Sequence, residues 1–465
     1  MPSATYLVFF AEFLAIVLFV WARPRWRVIG PSLLDSYVAG LLLFATGSVY
    51  TMLVYGVNRS YDVALIGLHA STSSLIGAAL WSYLLRKRIR NLNFWQPITT
   101  SEGEHRSITI GLVVCIAVCF AYFIAIVTNT ELFRVITRGL AEGSTIAGRL
   151  AIMNGTYGYL GVGYVKEFRD ILLPALCAAT IFANSYRNRF LAIFGLMVCA
   201  FGIFITGDRL FVVILMLSQS TAYAIGWRYG SRKTLPLYAA FPLLALLGVQ
   251  LYSMTKLAGH VPPPTTKTAT EPDRRPSDSL EAQVATTTQS IKNSTAWLAA
   301  RQIIERSIVV VPNENIKGYE LWGGPAPVYG MGWISDLSGI IHRGRRNTAT
   351  NLAEKLYGTT EASSPLALPI DIYYNWGLVG TLIFPAVFAL IFLLMDCAIT
   401  ASKSPILYGA KIVLFFTIPI IYAPYGFMLY GGAAVLILMF LVYLLRQGYF
   451  ARLGLPAPPE PSHGQ

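Results

Sequence analysis

Residues 107–128 read SITIGLVVCIAVCFAYFIAIVT, twenty-two residues without one charged side chain. An α-helix rises 1.5 Å per residue, so such a run extends about 33 Å, enough to cross the hydrocarbon core of a bilayer. Backbone N–H and C=O groups find no water there, so the segment must close its own hydrogen bonds as a helix. Working outward, comparable runs recur at 4–22, 34–56, 62–85, 168–186, 190–206, 209–227, 234–255, 369–395, 405–423 and 427–445. Interior Gly67 and Pro385 do not break the pattern, because neighbouring helices can satisfy the freed groups. The expected fold class is an all-α polytopic membrane protein of about eleven transmembrane helices.

Composition agrees. Of 465 residues, 55% are hydrophobic and only 13% charged; a soluble chain carries roughly twice that charge. The mean hydropathy is +0.56. The first run has no basic segment before it and is followed by Arg23, Arg25 and Arg27. That pattern predicts a retained helix rather than a cleaved signal peptide.

Basic residues set the expected orientation. Arg23, Arg25 and Arg27 follow the first span, and Arg86, Lys87, Arg88 and Arg90 the third. Arg187 and Arg189 follow the fifth, Arg228, Arg232 and Lys233 the seventh, Lys403 the ninth, and Arg446 and Arg452 the last. Alternate loops therefore belong on the cytoplasmic side, with the amino terminus outside and the carboxyl terminus inside. The chain divides into four helices over 1–128, an outer loop over 129–167, and four helices over 168–255. A large outer loop over 256–368, three helices over 369–445 and a cytoplasmic tail over 446–465 complete it. Within the large loop, the Pro/Thr/Ser-rich tract 261–296 is expected to be disordered.

The net charge of +13 comes from 36 basic and 23 acidic residues. Short loops between spans absorb much of it, and no basic face with interleaved aromatics argues for nucleic acid. Cys115, Cys119, Cys177, Cys199 and Cys397 lie in or at the end of apolar runs and read as packing residues, not as a disulfide frame or metal site. The chain has no DxD, HExxH or Walker loop, so neither a metal nor a cofactor is expected.

Both outer loops are rich in arginine where topology does not require it. The first holds Arg134, Arg138, Arg149 and Lys166, with Arg169 just past its end; the second holds Arg301, Arg306, Lys317, Arg343, Arg345, Arg346 and Lys355. Gly207, Asp208 and Arg209 stand at the outer end of a helix. A guanidinium offers a planar fork suited to phosphate and pyrophosphate oxygens. The competing reading is solvated loop charge or headgroup anchors. Aromatics near the loops, including Tyr319, Trp333, Tyr373, Tyr374 and Trp376, suit the apolar faces of sugars, or form an interfacial belt. Asp371, near Asn375, is a candidate general base or an orienting carboxylate; the alternative is an ion pair that holds the loop down. Glu12 in the first span reads as structurally paired, and His342 as a weak catalytic candidate.

Three segments carry a resemblance. GDRLFVVILML from Gly207, YGMGWISDLSGIIHRGRRN from Tyr329 to Asn347, and SSPLALPIDIYYNWGLVG from Ser363 to Gly380 resemble the Wzy-type O-antigen and oligosaccharide repeat-unit polymerases of bacterial inner membranes. Two features depart from that family: eleven residues separate Arg149 from Gly161, one more than in some members, and the tract from Val261 is an insertion. The resemblance implies a GT-C-type, metal-independent membrane glycosyltransferase. Its donor would be a growing glycan on undecaprenyl pyrophosphate, attacked by a hydroxyl of a new lipid-linked repeat unit. Under that reading Arg209 and Arg306, with Asp371, are the catalytic candidates. Arg149, Arg301, Tyr319, Trp333, Arg343, Tyr373 and Asn375 are the substrate-binding ones. The implied partners are the lipid-linked oligosaccharide, membrane lipids and a chain-length regulator protein, without nucleic acid. An O-antigen-ligase-like transferase is one alternative. A transporter or flippase is another, though transporters place charge at mid-membrane, where this sequence shows almost none.

Overall fold

The computed structural model describes residues 32–55, 60–86, 100–141, 168–183, 186–206, 209–229, 311–322, 327–333 and 366–421, with Leu14 and Val17. The predicted eighth and eleventh spans, nearly all of the first, most of both outer loops and the tract 261–296 lie outside the described residues. So do the side chains of Glu12 and His342.

The regular elements among the described residues are helices: α1 (Leu33–Tyr55), α2 (Ser60–Leu84), α3 (Glu102–Thr128) and α4 (Thr130–Ala141). A π-turn over Phe168–Leu172 leads into α5 (Leu173–Phe182), followed by α6 (Tyr186–Thr206) and α7 (Arg209–Tyr229). The series ends with α8 (Val311–Trp322), α9 (Leu368–Ser402) and α10 (Pro405–Ile421). Four of them, Leu33–Val54, Ser60–Leu84, Glu102–Thr128 and Leu368–Ser402, are long and apolar enough to cross a membrane. By helix length and hydropathy the chain is a multi-pass membrane protein.

Local chemistry explains where the helices depart from the apolar runs. The sequence places the fourth span from 107, but α3 begins at Glu102. Ser101 Oγ accepts from the Glu104 amide at 3.3 Å, and the Ser101 amide donates to Glu104 Oε2 at 3.1 Å. This reciprocal cap starts the helix in polar sequence that a hydropathy reading passes over.

Two cores meet at α5 and α10, the latter adding Ile406 to the second. One joins α1, α2, α9 and α10, and the other joins α3, α4, α6 and α7. Helix α5 contributes to both, and every residue of it except Ile181 is buried. It is apolar all round because it is covered all round. Small residues permit this. A Cβ on Gly409 of α10 would lie 2.2 Å from the Ala175 carbonyl oxygen, and one on Gly77 of α2 would lie 2.6 Å from Ala386. Close backbone approach is the usual way apolar helices gain contact within lipid. Cys115, Cys119, Cys177 and Cys199 are buried thiols in the second core.

Several polar links join segments far apart in the sequence. Ser404 Oγ donates to Glu104 Oε1 at 2.8 Å, and Thr109 Oγ1 to Asn188 Oδ1 at 2.7 Å. Ser32 Oγ donates to Asp396 Oδ2 at 2.8 Å. The amides of Leu33 and Leu34, at the start of α1, donate to the same carboxylate at 3.1 and 3.2 Å. Lys411 Nζ completes the cluster 2.8 Å from Asp396 Oδ1. Both ions are buried, so the almost charge-free spans expected from sequence are not quite so. The charges are tolerated because each is paired and the carboxylate also caps a helix.

Candidate functional site

The start of α9 organises the far end of the bundle. Asn315 of α8, fully buried, accepts the Ala367 amide at 2.8 Å, and Ala367 in turn accepts the amides of Ile370 and Asp371 at 3.0 Å. Asp371 therefore sits in the first helical turn, where the helix dipole favours a carboxylate. Asn375, one turn on, donates to the Asp371 carbonyl at 3.0 Å and to its Oδ1 at 3.2 Å.

Helix α9 then breaks. Gly377 has φ 65° and ψ −161°, a conformation essentially reserved for glycine. The sequence reading has a single span over 369–395. The structure instead shows a short first helix and a long second one. The break frees carbonyls, and the segment 327–333 supplies their donors. The Val328 amide donates to the Tyr374 carbonyl at 3.2 Å and the Gly330 amide to that of Asn375 at 3.1 Å. Trp333 locks the arrangement from both ends. Its amide donates to Asn375 Oδ1 at 3.3 Å, and its indole Nε1 to Asp371 Oδ2 at 2.8 Å. Gly330 and Gly332 are required by the close fit. A Cβ would come within 2.5 Å of Trp376 at the first and 2.6 Å of Asn375 at the second.

The structure thus brings Asp371, Asn375 and Trp333 into one hydrogen-bonded cluster. The Tyr319 and Tyr373 rings lie beside each other, centroids 5.5 Å apart, over the small core of Phe44, Val63, Ile66, Ile316 and Ile370. Trp333, partly exposed, is packed against Trp376, Phe384 and Phe388 at 5.1 to 6.4 Å. Its ring is a wedge between two segments and is only partly exposed. Arg209 opens α7, but its side chain lies outside the described residues. Arg149, Arg301, Arg306 and Arg343 lie wholly outside them.

Sequence reasoning missed two features. Asn315, which fixes the start of α9, carries no motif that would single it out. Arg169, read as one of the outer-loop cations, is 3% exposed in the π-turn. Its Nε and Nη2 meet Asp170 at 2.6 and 2.9 Å, and its Nη1 donates to the Gly202 carbonyl at 3.1 Å. The adjacent Arg–Asp at the start of a span was the available signal. Its engaged guanidinium is a packing device between the π-turn and α6.

Chemically, the cluster offers a shielded carboxylate, two amide-bearing turns and several aromatic edges at the mouth of a membrane helix. No family model, no curated protein and no solved structure matches the chain.

Proposed function

We propose that this chain is a polymerase that joins undecaprenyl-pyrophosphate-linked oligosaccharide repeat units on the outer face of a bacterial inner membrane. In this reading it has eleven spans, an external amino terminus and a cytoplasmic carboxyl terminus. The product is a surface polysaccharide. One observation carries the proposal: the late segment of the large loop docks onto the broken start of α9 through Trp333, Asp371 and Asn375. These are two of the three segments on which the resemblance rests, and they meet at a membrane helix end, where a lipid-linked substrate would present its headgroup.

The reaction exchanges one bond at the anomeric carbon. The acceptor hydroxyl oxygen bonds to that carbon as its bond to the pyrophosphate oxygen breaks. The hydroxyl proton leaves to a base or to the departing pyrophosphate. A pyrophosphate is a good leaving group, so the protein's task is to neutralise it and hold the hydroxyl in line. Arg209, Arg301, Arg306 and Arg343 are assigned to the pyrophosphate and its sugar, with Arg149 as a further contact. Tyr319 and Tyr373 are assigned to a sugar face. Asp371 is assigned an orienting role, since both its oxygens already accept hydrogen bonds from Trp333 and Asn375.

The test is glycan length in cells. Arg209→Ala or Arg306→Ala should convert long surface chains to single repeat units at unchanged protein level. Long lipid-linked chains accumulating instead would indicate a ligase-like transferase, and normal chains in both variants would remove the proposal.

A further inference from the structure

Helix α4 follows directly on the long span α3 but is chemically unlike it. Asn129 separates the two with an extended backbone (φ −83°, ψ 95°). Its Oδ1 accepts the Leu132 amide at 3.1 Å, the cap that starts a new helix. At 100° per residue, Thr130, Glu131, Arg134, Thr137 and Arg138 fall on one arc of about 120°. Leu132 and Ile136 lie roughly opposite and are buried in the second core. Phe133 flanks them and is 42% exposed.

The surroundings say what covers that flank. Phe120, Ile124 and Val127 of α3 form an exposed apolar stripe at helical spacing that runs to the end of the span. On a membrane-crossing helix such a stripe faces acyl chains. Phe133 is the next exposed large apolar residue along the chain. Helix α4 therefore has three sides: one on the bundle, one carrying the exposed Phe133, and one polar. The polar side carries two exposed arginine residues one turn apart, with Glu131 also on it.

We infer that α4 lies in the membrane interface and that Arg134 and Arg138 bind the phosphates of anionic phospholipids in the adjoining leaflet. The occupant must offer both a phosphate and an acyl chain, because the cations and Phe133 stand side by side. A free phosphate would use only half of this surface. The inference concerns lipid binding and is independent of glycan transfer.

The experiment uses the full chain in nanodiscs of equimolar phosphatidylglycerol and phosphatidylcholine, followed by native mass spectrometry of the retained lipid. The wild type should retain phosphatidylglycerol preferentially. Arg134→Gln and Arg138→Gln should each reduce that preference about five-fold, and Glu131→Gln should increase it. A nitroxide at Phe133→Cys should be reached by oxygen dissolved in lipid, and one at Thr137→Cys by a water-soluble relaxant. The proposal is overturned by an unchanged lipid preference in both arginine variants, by a water-exposed label at 133, or by retention of an added polyprenyl diphosphate over phosphatidylglycerol.

Discussion

Trp333 and Asp371 are 38 residues apart in the chain, yet the indole Nε1 of one donates to Oδ2 of the other at 2.8 Å. The acceptor is a carboxylate with 1% exposure, so the bond forms away from competing water. A hydrogen bond to a charged group contributes about 1.5–3 kcal/mol. Trp333→Phe keeps the aromatic packing and removes only the donor. It should loosen the 327–333 segment without unfolding the bundle. Limited proteolysis of the purified protein should then cut near this segment faster than in the wild type, while thermal unfolding of the remainder is unchanged. Equal protection in the two proteins would show that the indole bond does not hold the loop.

The Asp396–Lys411 pair leads to an ordered prediction. Removing one member of a buried pair costs about 3–5 kcal/mol. The two members are not equivalent, however. Lys411→Met leaves Asp396 with three donors, Ser32 Oγ and the amides of Leu33 and Leu34. Asp396→Ala strands a buried ammonium and uncaps α1 at once. Thermal unfolding in detergent should therefore rank wild type above Lys411→Met, and Lys411→Met above Asp396→Ala. The double substitution should be less harmful than the sum of the single ones, because the uncompensated ammonium is gone.

What could be read in the sequence follows from what each feature depends on. The α3 span was legible because an uncharged run of this length has one solution in lipid. Its start was not, because the Ser101–Glu104 cap is a local polar device that hydropathy ignores. Asp371 and Asn375 stand one helical turn apart and could be paired from spacing alone. Their partner Trp333 comes from another segment, and no local pattern encodes that meeting. The break at Gly377 was hidden for a similar reason, since glycine is ordinary in membrane helices and its φ is not written in the chain. Asp396 stands one residue past the predicted span 369–395, and Lys411 lies inside the predicted span 405–423; no local pattern pairs them, and only the packing of α9 and α10 does.

Gly377 and Gly330 both hold positive φ, 65° and 80°. An L side chain at such a position costs about 1–3 kcal/mol. At Gly330 a Cβ would also lie 2.5 Å from Trp376 Cζ2. At Gly377 the nearest neighbour is Pro327 at 3.5 Å, an ordinary contact. Gly377→Ala should thus show the backbone penalty alone, and Gly330→Ala that penalty plus a clash. The expected result is a lower unfolding temperature for both, with the larger loss at Gly330. Equal losses would mean that the indole moves aside without cost.

Gly409 tests whether the bundle depends on backbone contact between its central helices. A Cβ there would lie 2.2 Å from the Ala175 carbonyl oxygen and 2.7 Å from the Ala179 nitrogen, and neither atom belongs to a side chain that can rotate away. Gly409→Ala must therefore push α10 off α5, and both helices contribute to both cores. Overpacking of this kind costs about 1–3 kcal/mol, set against the usual gain of about 0.4–1 kcal/mol from replacing a helical glycine. Gly103 is the internal control, because its nearest neighbour would be 4.0 Å away and the first turn of α3 is open there. Gly103→Ala should leave the unfolding temperature unchanged or raise it slightly, and Gly409→Ala should lower it. If the two substitutions behaved alike, α5 and α10 would not be in backbone contact, and the shared centre of the two cores would have to be redrawn.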